Sequence, residues 1–137
     1  MDEKFMEMAI EKAWEGVRDG QEPFGACVVM DGEVVSVTHN TVKGDNDVTA
    51  HAEMNAIRDA CRKLKTTDLS RCQIYATFKP CKMCEEACKR AKISTIYYGA
   101  GPDDVNYPDR VYSLEVRSGI LRDQCLELVG QVYPIKT

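Results

Sequence analysis

The chain has 137 residues, 44% of them hydrophobic and 29% charged, with a formal net charge of −4. That length suits a single domain over 1–137 with one proper core, and no apolar run approaches the ~20 residues a membrane helix needs. The acidic balance argues against a phosphate-binding surface, so a small molecule is the expected partner and nucleic acid is not.

Residues 2–19 place Phe5, Met8, Ala9, Ala13 and Val17 near a 3.6-residue period, which predicts an amphipathic helix ending at Gly20. This start has no apolar stretch of the secretory kind, an expectation of a cytoplasmic protein. GACVVM and EVVSVT are β-rich runs separated by Asp31-Gly32, a strong hairpin signal. Residues 41–49 read as a polar loop, and helical character returns from Ala50 to Leu64. Gln73–Phe78 is a strand run, and Pro80 opens a helix to about Ala91. Ser94–Gly99 is the next strand, 101–109 a loop, Val111–Val116 a fifth strand and Leu121–Val132 a final helix. Strand–helix–strand crossovers imply parallel pairing with helices on both faces. The expectation is a three-layer α/β/α sandwich.

Seven cysteines in a chain without an export signal make a poor disulfide framework. Cys27, Cys61, Cys72, Cys88 and Cys125 sit in apolar surroundings and read as small core residues or inert thiols. Cys81 and Cys84 are different. In Pro80-Cys81-Lys82-Met83-Cys84 they lie three apart at a helix start, on one side of that helix, where unpaired N–H groups favour thiolates. With His51 they make a borderline-soft donor set suited to zinc, with a fourth position left for water. A fourth ligand, for which Cys88 and His39 are the candidates, would make the site structural. A redox Cys-x-x-Cys would need no metal at all. Glu53, two residues from His51, is placed to accept a proton from a zinc-activated water. The run Lys79, Lys82, Lys89, Arg90 and Lys92 is interleaved with Glu85 and Glu86 and reads as a solvated face.

The arrangement His51-Ala52-Glu53 … Pro80-Cys81-x-x-Cys84 resembles the signature of the cytidine/deoxycytidylate deaminase superfamily. The likeness runs over nearly the whole chain, and it implies a five-stranded mixed sheet flanked by helices. It further implies a Zn2+ cofactor and a homodimer. The implied reaction is hydrolytic deamination, with Glu53 deprotonating the water, protonating the ring nitrogen and helping ammonia leave. Asn46–Glu53 and Pro23-Phe24-Gly25-Ala26 are similar to guanine deaminases in particular. By the same resemblance Asn40 touches the base and Phe24 stacks on it; the alternatives are a strand-end turn residue and a core aromatic. Asp103, Asp104 or Asp109 would supply a proton-shuttling acid, against the simpler reading of a solvated loop. Lys79 departs from the Glu usual before Pro-Cys, and Ser118–Leu128 looks more like the end of tRNA adenosine deaminases. The resulting order of substrates is a purine base or nucleoside, guanine-like first, then a cytosine-type pyrimidine, then tRNA. A zinc module without activity is the rival from another class.

Overall fold

A computed structural model describes residues 2–108 and 112–137. It divides into two compact units, Met1–Tyr107 and Pro108–Thr137. Among the described residues, no helix is long and apolar enough to cross a membrane.

In the first unit, α1 spans Glu3–Arg18, with Asp2 at its N-cap accepting from the Lys4 N–H. The strands β1 (Gly25–Met30) and β2 (Glu33–His39) form an antiparallel hairpin. Its turn residues Asp31 and Gly32 both have positive φ, 52° and 77°, the twist that a two-residue hairpin requires. A single helical turn, α2 (Val42–Asp45), interrupts the expected loop. Then come α3 (Ala52–Leu64), β3 (Cys72–Phe78), α4 (Lys82–Arg90) and β4 (Thr95–Ala100). Pro80 lies just outside α4, one residue before its N-cap Cys81.

The described strands form one mixed sheet in the order β2-β1-β3-β4. β1 runs antiparallel to both neighbours, and β3 and β4 are parallel. The crossover through α4 therefore joins adjacent parallel strands. The one through α3 joins two strands of the same direction with β1 between them.

Both faces of β1 are covered, which explains its continuous apolar run. Ala26 and Val28 point to one side, where Ala52, Ala56 and Ala60 of α3 and Cys88 of α4 meet them. Cys27 and Val29 point to the other, against Phe5 and Ala9 of α1 and Tyr75 of β3. The three alanines, each four residues apart and fully buried, let α3 lie close on the sheet.

Gly25 marks the closest approach on the α1 side. A Cβ there would overlap the carbonyl oxygen of Ala9. Gly25→Ala is therefore expected to destabilise the protein by at least about 1–3 kcal/mol, the usual cost of overpacking, read as a lower urea midpoint at unchanged slope. A midpoint equal to wild type would contradict this packing.

The second unit contains α5 (Arg122–Val129), entered through Leu121 at φ 51°. The expected fifth strand at Val111–Val116 is not formed over 112–116, and residue 111 lies outside the described residues. Tyr112, Leu114 and Val116 do alternate with polar residues, but each is more than 80% exposed. A strand exists only through a partner's ladder, and none pairs with these residues. Among the described residues the sheet has four strands, not five.

Candidate metal and catalytic site

Two helix starts converge on one point. His51 is the N-cap of α3 and Cys81 the N-cap of α4, both with extended backbone. Cys84 follows in the first turn of α4. The His51 Nδ1 lies 3.6 Å from Cys81 Sγ and 3.5 Å from Cys84 Sγ. Across the whole trio the ligand atoms are within 4.8 Å of one another. A tetrahedral zinc with Zn–S of about 2.3 Å and Zn–N of about 2.0 Å needs S···N edges of about 3.5 Å. The donor set fits zinc in chemistry and in spacing.

Neither candidate fourth ligand joins the cluster. Cys88 lies one turn deeper in α4 and is buried, which pushes its thiol up to about 11. The His39 Nδ1 is instead 2.9 Å from the carbonyl oxygen of Asn40. Three protein donors leave one position open, the composition of a catalytic zinc site. Cys81 and Cys84 are both free thiols and do not form a disulfide.

Glu53 sits in the first turn of α3 and is only 7% exposed. Burial raises its pKa above the ordinary carboxylate value, offset in part by hydrogen bonds from its own backbone and Cys84. The expected ease of forming a thiolate at the helix start does not hold for Cys84. Burial pushes its thiol up, and the negative charge of Glu53 adds to the shift.

Asn40 is buried at the end of β2. Its backbone N–H donates to the Phe24 carbonyl and its Oδ1 accepts from the Val42 N–H. Its Nδ2 carries no hydrogen bond among the described residues, so the amide is both a turn-former and a spare donor. Phe24 is half-buried against the core and packs on Phe78, ring centroids 5.4 Å apart. Phe78 continues to Tyr107 at 5.1 Å, an aromatic string that no local sequence pattern reveals because its members lie far apart in the chain. Asp103 and Asp104 lie on an exposed 3₁₀ turn after β4, outside the metal cluster. Asp104 accepts from the Gly101 N–H at 2.9 Å and so closes its own turn. Asp109 lies outside the described residues.

Residues 1–100 match the cytidine and deoxycytidylate deaminase zinc-binding region. A tRNA-specific adenosine deaminase of Aquifex aeolicus is 41% identical over 72% of this chain and 65% of its own length. One from Agrobacterium fabrum is 34% identical over 94% of this chain and 91% of its own. The X-ray structure of guanine deaminase from Bacillus subtilis is 30% identical, covers 100% of this chain and 99% of its own, and superimposes with a TM-score of 0.83.

The tRNA-specific relatives overturn the expectation that nucleic acid is not a partner. Net charge was the wrong quantity, because a binding surface depends on the local field and the total averages over every face. Match and metal cluster agree: the chain belongs to the cytidine and deoxycytidylate deaminases, a zinc-binding family of hydrolases acting on C–N bonds of nucleobases and nucleosides.

Proposed function

We propose that this chain is a zinc-dependent hydrolytic deaminase whose target is an adenosine presented in RNA, with His51, Cys81 and Cys84 as ligands and Glu53 as the proton carrier. The observation that carries the chemistry is the trio of donor atoms, with His51 Nδ1 at tetrahedral edge distance from both sulfurs, and the buried Glu53 two residues from His51. Bound zinc supplies a water of lowered pKa and hence a nucleophile at neutral pH.

The chain's own residues do the rest. Glu53 takes one proton from the water and delivers it to the ring nitrogen, then takes the second from the hydroxyl on the ring carbon and passes it to the departing amine, so the water oxygen stays as the carbonyl and the amino group leaves as ammonia. Its burial suits this work, since a carboxyl whose pKa is raised is a better proton acceptor than an ordinary carboxylate. The free Nδ2 of Asn40 donates to a ring acceptor of the base, and Phe24 offers an edge to stack against. Support for RNA comes from the Agrobacterium relative, similar over nearly the full length of both chains.

A second reading, free guanine, is favoured by the superposition on the Bacillus enzyme over the entire chain. One assay decides between them. The zinc-loaded protein is incubated with an RNA hairpin carrying adenosine in its loop, and separately with guanine, guanosine, adenine and cytosine. Inosine in the RNA is the expected product. Ammonia from guanine with no inosine in RNA would replace the adenosine reading with the guanine one.

A further inference from the structure

We infer that Lys79 and Lys82 form a phosphate-holding pair at the mouth of the metal site, gripping the backbone of an RNA substrate beside its target base. The inference rests on the RNA reading above and deepens it. The two lysines flank Cys81, and all three residues are exposed. Lys79 follows the last residue of β3, and its N–H donates to the Ala100 carbonyl at 2.8 Å, tying together the carboxyl ends of the parallel pair. Ligands of open α/β sheets collect at that edge.

Neither lysine has a structural reason for its charge. Lys82 stands in the first turn of α4, where the helix dipole disfavours a cation. The acids one turn along, Glu85 and Glu86, are taken by Lys89 at 3.6 and 3.3 Å. Asp104, the acid of the neighbouring turn, is engaged by the Gly101 N–H, and no ion pair joins Lys79 to it or to Asp103 among the described residues. Elsewhere in this unit Lys12, Lys43, Lys63 and Arg71 each face a carboxylate.

The immediate neighbour of Lys79 is Phe78, the centre of the Phe24–Phe78–Tyr107 string. Exposed cations next to a run of aromatic rings are the combination that binds single-stranded nucleic acid, the rings stacking bases and the cations tracking phosphates. Tyr98 and Tyr107, 49% and 41% exposed, extend the accessible aromatic surface. Within the charge run that reads as a solvated face in the sequence, Lys89 is paired on the helix flank, and Lys79 and Lys82 are the two exposed cations next to Cys81, with no ion pair among the described residues.

The test is binding of a labelled RNA hairpin with a loop adenosine to the zinc-loaded full chain, followed by anisotropy across a salt series. The K79E/K82E variant is expected to bind roughly tenfold more weakly per lysine. Its plot of log affinity against log salt should be shallower by about 0.7 per lysine. K79R/K82R should retain both affinity and slope. Zinc content and melting temperature report whether each variant is folded; should the double reversal lose zinc, the single K82Q variant carries half the slope change.

Unchanged affinity and slope in K79E/K82E would overturn the inference even if the enzyme makes inosine. Failure of the wild type to bind the hairpin would overturn it too. Lysine-dependent binding without inosine formation would sustain it while removing the adenosine reading. Lysine-dependent binding of adenosine 5′-monophosphate as tight as that of the hairpin would assign the phosphate to a free nucleotide and overturn the RNA source.

Discussion

Glu53→Gln is expected to lower the deamination rate by about 10²–10⁴-fold while the protein still binds one equivalent of zinc. The substitution keeps the shape of a side chain that is 7% exposed and packed in the first turn of α3. It also keeps a hydrogen-bonding group beside Cys84, so the ligands should stay in place. It removes only the capacity to accept a proton and return it. Zinc content from metal analysis and turnover from ammonia release are read on the same sample. A variant that keeps zinc and full activity would mean the protons move through another group. One that loses both would mean that Glu53 holds the ligands in place and carries no protons.

Cys84→Ala is expected to have the larger effect on the molecule as a whole. Cys84 is a fully buried member of the cluster, and its loss leaves His51 and Cys81 with two donors. Two donors fall short of the three protein ligands that a catalytic zinc site keeps. Activity should fall to background and zinc should be absent after dialysis. Stability should fall as well, because metal bound only by the folded state stabilises it by about 4 kcal/mol at a thousandfold excess over its Kd. For a domain of this size the melting temperature should drop by more than about 10 °C. A strong chelator should reproduce that drop in the wild type and do nothing to the variant. If the variant retained zinc, the ligand assignment would be wrong. If chelator left the wild-type melting temperature unmoved, zinc would not be coupled to the fold.

The two substitutions separate what the site does from what holds it together. Glu53 and Cys84 are both buried and close enough for the charge of one to act on the other, so their effects should not add. In metal-free protein the charge of Glu53 works against thiolate formation at Cys84. A bound cation would favour the charged form of both groups.

The hairpin was legible from sequence alone, because Asp31-Gly32 imposes its turn through the backbone angles of two residues. So were α1, α3 and the run of β1, where a continuous apolar stretch means two covered faces. The pairs His51-Ala52-Glu53 and Cys81-Lys82-Met83-Cys84 were legible for the same reason: each is a local spacing at a helix start. Local geometry depends on neighbours in the chain, and the chain itself supplies them.

Other features depended on contacts between distant segments. The stretch 112–116 has the alternation of a strand and is not one, since a ladder needs a partner that no pattern within five residues can provide. The string Phe24–Phe78–Tyr107 joins three residues spread over more than half the chain. The net charge of −4 misdirected the choice of partner, because composition does not record which lysines are paired and which stand open.

Donor types, their local spacing and the family they point to can all be read from the residues in order. The meeting of His51 and Cys81, thirty residues apart at the starts of two helices with Nδ1 and Sγ 3.6 Å from each other, comes from the fold alone. Folding also keeps Cys88 out of the cluster, buries Glu53 in the first turn of α3, and leaves Lys79 and Lys82 exposed. The physical reason is one of range. Helix starts and turns are set by a few adjacent residues, whereas burial, charge pairing and a shared metal position exist only once the sheet has brought remote segments together.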